Sequence, residues 1–463
     1  MAVDGLPGSP IDQTVLDVQE FIDRRPMGGA QWLILVLCFL AMAADGFHTS
    51  AMAFVAPALT LGLGISKLAL GPILSAALIG LGIGALVAGP LADKSGRKRV
   101  LIASVLVCAV GSMLSASARS EGALLAWRFL TGLGIGAAMP NCTTLAAEFV
   151  PSRRRAMLSN MMFCGFPLGA SSGGFLAAWL IPHFGWRSVF MVGGAAPLVL
   201  VAVLTRLPES ISFMAVRKWP AQKIRAALYW IAGDDADADA RIAAATGFRI
   251  AENAPAGGKS PLKVILAPQY LTSTLMLWVT YFMGLVLFYL LTSWMPTLVR
   301  DAGYSVSRAA VATALFPLGG AIGAVCCGWL MDRMNATRVV GGAYFLTGIL
   351  LLVLARSTHA LGALMSATFL AGIAMNGAQS SMPVLAASTY PTAGRASGVS
   401  WMLGAGRMGA VVGAFGGGIL MQAGYSMAEI IAMLAVVAML AAAALAAKDY
   451  ASRKTSRINP VAE

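Results

Sequence analysis

Four ionisable side chains stand inside otherwise apolar runs of this sequence: Asp45, His48, Arg128 and Arg407. A charge at the centre of a membrane helix costs roughly 2.5–3.5 kcal/mol on insertion scales, so groups kept there point to function. Their chemistries are complementary. An arginine stays protonated and offers a planar fork that fits a carboxylate with two parallel hydrogen bonds. A carboxyl group balanced between burial and a neighbouring arginine can take up a proton on one side and release it on the other. Histidine titrates near neutrality. Asp45 and His48 are three residues apart, which puts them on one helix face. Asp45 lies about 20 Å past Trp32 at 1.5 Å per residue. Arg128, early in a run of opposite direction, reaches a similar depth. Arg407 falls near the middle of its own run and has no partner acid within the apolar runs of its half of the chain. It is therefore the first choice for a ligand carboxylate. Arg128 is then the counter-charge expected to control Asp45, with His48 sharing the proton or donating a hydrogen bond. Softer candidates are Tyr281, Phe288, Tyr289, Trp294 and Trp401 for ring stacking, and Asn376, Gln379 and Ser380 for hydrogen bonding.

The elements that must position these residues follow from composition. The chain has 463 residues, 58% hydrophobic and only 11% charged, against roughly 25% charged in soluble domains. Twelve apolar runs lie between residues 30 and 447, each near the 20 or so residues that cross a bilayer. A single soluble core cannot bury twelve such helices. The net charge of +13 is unevenly spread. Lys67, Arg119, Arg187, Arg300, Arg308 and Arg356 fall in one alternate set of loops, and the great majority of the 33 Lys and Arg fall in the other. That is the positive-inside bias, with both termini cytoplasmic, and not a nucleic-acid footprint. Residues 1–29 are polar and lack the short apolar core of a cleavable signal. The divisions expected are a cytoplasmic segment 1–29, a six-helix half 30–207, a cytoplasmic linker 208–267, a second half 268–447 and a tail 448–463. The linker carries the acids Asp234, Asp235, Asp237 and Asp239. The six cysteines all lie in apolar runs without metal spacing, and read as small packing residues. No metal or other cofactor is expected. The glycines at 80, 82 and 84, at 132, 134 and 136, and at 165, 169 and 173 are expected to let helix backbones approach. They follow no strand, so they are not nucleotide loops.

The chain repeats internally. GPLADKSGRKRV at 89–100 aligns with GWLMDRMNATRV at 328–339. Pro151, Arg155 and Ala156 are echoed by Pro391, Arg395 and Ala396 at nearly the same offset. The first of these loops, with Gly89, Asp93, Gly96, Arg97 and Arg99, resembles the signature loop of the major facilitator superfamily; Asp332 and Arg333 belong to its second copy. The resemblance spans about 20–447. It implies an all-α membrane protein of twelve helices in two six-helix halves, with substrate held near the midplane between them. The loop charges are expected to latch helix ends at a cytoplasmic gate, Asp93 lying near a helix N-terminus where the dipole favours an acid.

A narrower resemblance rests on FIDRRPMGGAQWLILVLCFLAMAADGFHTSAMAFVAPA at 21–58, WRFLTGLGIGAAMPN at 127–141, FYLLTSWMPTL at 288–298 and GAGRMGAV at 404–411. These are similar to the aromatic acid:proton symporters, the 4-hydroxybenzoate, protocatechuate and benzoate carriers. By that resemblance Asp45, Arg128 and Arg407 match charged positions needed for uptake. The implied function is proton-coupled import of an aromatic carboxylate across the bacterial inner membrane by alternating access, with the bilayer, the acid and protons as partners and a monomer as the working unit. The family pattern D-G-F-D becomes D-G-F-H here, with His48 in place of the second acid. Other functions have weaker footing. GFPLGASSGG at 165–174 resembles an antiporter motif, but Ala170 replaces its proline. Leu207-Pro208-Glu209-Ser210 resembles a sugar-porter loop, but a neutral sugar does not require Arg407. A transporter-like receptor lacks a signalling domain, and an enzyme lacks a nucleophile with a base.

Overall fold

The computed structural model describes residues 15–458 except 63, 218, 234–241, 246, 250–263 and 391. The acidic patch at Asp234, Asp235, Asp237 and Asp239, and Pro391 of the repeat, lie outside the described residues. Twelve helices have the length and composition to cross a membrane. In order they are Gly29–Gly62, Lys67–Ser95, Arg97–Ser117, Glu121–Phe149, Met157–Phe184, Arg187–Leu204, Pro268–Asp301, Val306–Met331, Ala336–Arg356, Leu361–Thr389, Ser397–Gln422 and Met427–Ala451. Short turns separate them within each half, and side-chain caps mark several starts. Ser66 accepts from the Ala69 amide before the second span, and Ser305 accepts from the Arg308 amide before the eighth. The caps occupy equivalent places in the two halves. Pro57 in the first span and Pro296 in the seventh do the same.

Packing repeats as well. The second span seats against the fourth where Gly80 and Gly84 meet the backbone at Phe129 and Leu133. The eighth seats against the tenth where Gly319 and Gly323 meet Phe369 and Ile373. The first and fifth spans touch where Gly169 meets the Ala43 carbonyl, and the seventh and eleventh where Gly409 meets that of Phe282. Each contact has no room for a Cβ, so glycine sets the distance between backbones. Gly82 faces open space and has no such role.

The two halves join through the first and seventh, second and eleventh, and fifth and eighth spans. Among the described residues, the side-chain bonds between halves all lie toward the end of the bundle that carries Lys67. Lys67 Nζ pairs with Asp301 Oδ2 at 2.5 Å. Ser307 Oγ donates to the Ala178 carbonyl at 2.8 Å, and Ser171 Oγ to that of Ala314 at 2.9 Å. At the opposite end, which carries Asp93, no such bond joins the halves among the described residues.

Outside the spans, helix Ala221–Ala232 buries Ile224, Ala227, Leu228 and Ile231, the spacing of one apolar face. Val15–Asp17 pairs in parallel with Gly247–Arg249, so the N-terminal segment and the linker share a two-stranded sheet. Three residues a side leave too short a pattern to read from sequence.

Candidate functional site

The first span brings three polar side chains to the interior. Asp45 is 5% exposed and His48 fully buried. Thr49 Oγ1 donates to Asp45 Oδ1 at 3.2 Å, one helical turn on. Gly46 presses on the fifth span at Phe166, fixing this stretch in place. From the fourth span Arg128, 1% exposed, donates through Nη2 to the His48 carbonyl at 2.8 Å. Its guanidinium lies over the Phe190 ring at 5.6 Å. Nε and Nη1 of Arg128 have no hydrogen-bond partner. A buried cation with unused donors is a costly arrangement; it is also a place where an anion would be welcome.

The second half supplies the facing wall. Tyr281 and Tyr289 on the seventh span are half-buried, as is Arg407 on the eleventh. Arg407 is near enough to act electrostatically on Asp45, Tyr281 and Tyr289. The sequence assigned Arg128 as the counter-charge of Asp45. In the structure Arg128 bonds to the His48 carbonyl, and Arg407 also lies within electrostatic reach of Asp45. No carboxylate of the described residues makes an ion pair with either arginine. Tyr289 and Ser293 share a small interior cavity with Thr49, Leu78 and Ile135. Its wall therefore comes from both halves.

The tenth span sorts its candidates. Asn376 Nδ2 is committed to the Gly372 carbonyl at 3.1 Å, and Ser380 Oγ to that of Gly377 at 3.2 Å. Gln379 receives the Tyr344 hydroxyl on Oε1 at 2.5 Å. Its Nε2 lies beside Tyr281 without a hydrogen bond. Gly284 leaves the space that Gln379 and Tyr344 fill. Gln379 is thus the member with a donor to spare. Two aromatic candidates lie elsewhere. Trp294 is fully buried and donates Nε1 to the Ala414 carbonyl at 2.7 Å, tying the seventh span to the eleventh. Trp401 is 49% exposed and stacks on Trp278 at 5.9 Å, away from this cluster of polar groups. Phe288 packs edge-on against Tyr289 at 5.1 Å and supports it. Sequence reasoning missed Thr49, Ser293 and Tyr344. The signal for Thr49 was its place four residues after Asp45; for Tyr344 it was a polar tip within an apolar run.

The loop after the second span forms a network of its own. Gly96 has φ +103°, and a side chain there would meet the Glu209 carboxylate. Glu209 Oε1 accepts the Lys98 amide at 2.8 Å. Arg97 binds Glu148 and reaches Ser210 Oγ at 3.0 Å. Glu209 and Ser210, which suggested a sugar-porter loop, here anchor this corner. Asp93 departs from expectation: it lies in the last turn of the second span, at a helix C-terminus, with Arg97 Nη2 at 3.9 Å. The positive charge of Arg97, and not a helix dipole, is what favours an acid there. Gly89 meets nothing, and Arg99 lies over the Trp219 ring at 5.8 Å. In the second copy Asp332 is the C-cap of the eighth span and Arg333 lies over Trp329 at 3.9 Å.

The Major Facilitator Superfamily profile matches residues 34–312 and 277–461, the two together covering both halves. This chain belongs to the Major Facilitator Superfamily. It is a multi-pass membrane transporter and not an enzyme. Among curated relatives it is 48% identical to the 4-hydroxybenzoate transporter PcaK of Pseudomonas aeruginosa, over 90% of this chain and 92% of that one. It is 45% identical to the gallate transporter of Pseudomonas putida, over 96% and 97%. The 3-(3-hydroxy-phenyl)propionate transporter of Escherichia coli is 33% identical over 95% and 99%. Among solved structures, the superfamily fold is matched by the D-xylose-proton symporter, with TM-score 0.68 at 16% identity over 89% of this chain and 97% of that one. The xylose transporter XylE of E. coli, partially occluded and inward open, gives 0.69 at 15% identity over 90% and 97%.

Proposed function

We propose that this transporter imports a hydroxylated aromatic carboxylate together with a proton. The observation that carries the reading is one cluster between the halves: buried Asp45, half-buried Arg407, two tyrosines and Gln379 with an unused donor. The relatives named for 4-hydroxybenzoate and gallate support the substrate class. Arg407 binds the carboxylate, the tyrosines flank the ring, and Gln379 Nε2 meets a ring hydroxyl. Asp45 supplies the coupling. Ionised, it competes with the substrate for the field of Arg407; protonated, it leaves Arg407 to the carboxylate. Proton and substrate therefore bind with mutual help. Arg128 anchors the His48 turn and keeps Asp45 in position. Charge asymmetry places the Asp93 end in the cytoplasm. The halves are then joined on the outer side, and the present state faces inward.

The antiporter reading is disfavoured by Ala170, which is fully buried within an unbroken helix Gly165–Phe184. The motif that suggested export relies on a proline kink there. The test is uptake into proteoliposomes with an imposed pH gradient, using labelled hydroxybenzoates and one sugar. Accumulation of an aromatic acid only with an acidic exterior is the expected result. Efflux alone, under the opposite gradient, would replace import with export.

A further inference from the structure

A second cavity, of about 420 Å³, lies outside the transport path where the third span begins and the sixth ends. Its lining includes Arg99, Arg206, Glu209, Trp219, Lys223 and Trp230. Helix Ala221–Ala232 closes one side, seated by its buried apolar face. The only acid in the wall is already committed: Glu209 accepts the amides of Lys98 at 2.8 Å and Ser210 at 3.0 Å. Lys98 is committed as well, its Nζ donating to the Thr205 carbonyl at 2.8 Å. Arg99, Arg206 and Lys223 are exposed and make no ion pair among the described residues. Lys223 Nζ lies 4.9 Å from the Trp219 ring centre, so an indole face backs the cations.

Three unneutralised cations lining one concavity favour an anion there. The cavity's level selects which kind. It sits at the ends of two spans, where the bilayer meets water, and half-buried tryptophans are the residues that favour that zone. We infer that this cavity binds the phosphate of an anionic phospholipid headgroup, held by Arg99, Arg206 and Lys223, with Trp219 and Trp230 at glycerol level. The site shares Glu209 and the Lys98 amide with the Arg97–Glu148–Ser210 corner. An occupant therefore bears on the loop that joins the second and third spans.

The test uses the full-length transporter purified in detergent and equilibrated with phosphatidylglycerol or phosphatidylcholine, retained lipid being counted by native mass spectrometry. Wild type is expected to keep one phosphatidylglycerol. Arg206→Ala with Lys223→Ala should weaken retention roughly thirtyfold, about fivefold for each cation lost near a membrane surface. Arg206→Lys with Lys223→Arg should restore it, which separates lost charge from misfolding. Arg153→Ala with Arg154→Ala, outside the cavity, should change nothing. Equal loss in that control pair, or full retention in the cavity pair, overturns the site. Millimolar inorganic phosphate is the last arm: failure to displace the lipid supports the headgroup, and stoichiometric displacement assigns the cavity to free phosphate and overturns the lipid assignment.

Discussion

On the proposed function, ionised Asp45 and the substrate carboxylate compete for Arg407, and that sets what each substitution should do. Asp45→Asn keeps the shape and removes the proton. A gradient of one pH unit supplies about 1.4 kcal/mol per proton, or about tenfold accumulation. Asp45→Asn should lower gradient-driven accumulation to about unity while exchange of labelled for unlabelled substrate continues. Accumulation equal to wild type would sink the proton assignment. Arg407→Gln removes a charge-assisted pair worth roughly 1.5–3 kcal/mol, so binding should weaken about ten- to a hundredfold. Because ionised Asp45 competes for Arg407, Asp45→Asn alone should not weaken binding, and in the Arg407→Gln background it should change binding little, measured in detergent. A second acid makes a pH prediction outside the membrane. Burial pushes Asp23 up, but hydrogen bonds from the Ser152 amide at 2.7 Å and from Gln19 at 2.9 Å, with the charge of Arg155, hold it below the ordinary carboxylate range. A lowered native value means that this contact contributes fully above the unfolded carboxyl value near 3.9 and fades as pH falls through the native one. Hydrogen exchange at Ser152 should be slow at pH 6, faster in Asp23→Ala at that pH, and alike in both proteins in strong acid. The ionisable residues of this cluster stand out in the sequence because a charge in an apolar run is costly to keep there. Thr49, Ser293 and Tyr344 do not, since a hydroxyl in a helix can satisfy itself on the preceding turn, and only packing shows which hydroxyl turns inward.

Helix pairs in this protein are set by where glycine removes a side chain. Gly169 against Ala43 and Gly409 against Phe282 are the same joint built twice. Valine at either place must push two backbones apart, and overpacking of that kind costs about 1–3 kcal/mol. Gly409→Val should therefore lower the melting temperature in detergent and cut uptake more than binding, because Arg407 rides on the same helix. Gly82→Ala faces open space and should be neutral or slightly stabilising, as expected for glycine removed from a helix interior. Equal effects from the two would mean that the joints do not depend on backbone approach. The glycine strings announced close packing in the sequence, but a G-x-G string places its members on different faces. Only the structure distinguishes Gly80 and Gly84 from Gly82. Asp93 teaches the complementary lesson. The sequence reading puts it near a helix N-terminus, and a helix does start at Arg97, but the acid itself belongs to the helix that ends there.

Twelve spans and their duplication can be read from hydropathy and the two signature loops, because both are written along the chain. Which end of the bundle is shut cannot be read so, since one sequence must serve both states of an alternating carrier. Here the Lys67 end holds the halves together by an ion pair and two hydroxyl bonds, while the Asp93 end has no counterpart among the described residues. An exposed pair of this kind stabilises by about 0.2–1 kcal/mol, so it biases the closed state without locking it. Lys67→Ala should accordingly change the uptake rate by no more than about fivefold. Covalent closure is a different matter. With the native cysteines replaced, Lys67→Cys and Asp301→Cys joined by a bifunctional thiol reagent would keep that end shut. On the inward-facing reading, binding from the Asp93 side should survive, while uptake from the Lys67 side should stop and return when the link is cleaved. If the linked transporter still turned over at the unlinked rate, the two halves would not separate between Lys67 and Asp301. Substrate would then have to enter by another route, and the inward-facing reading of this state would fall with it.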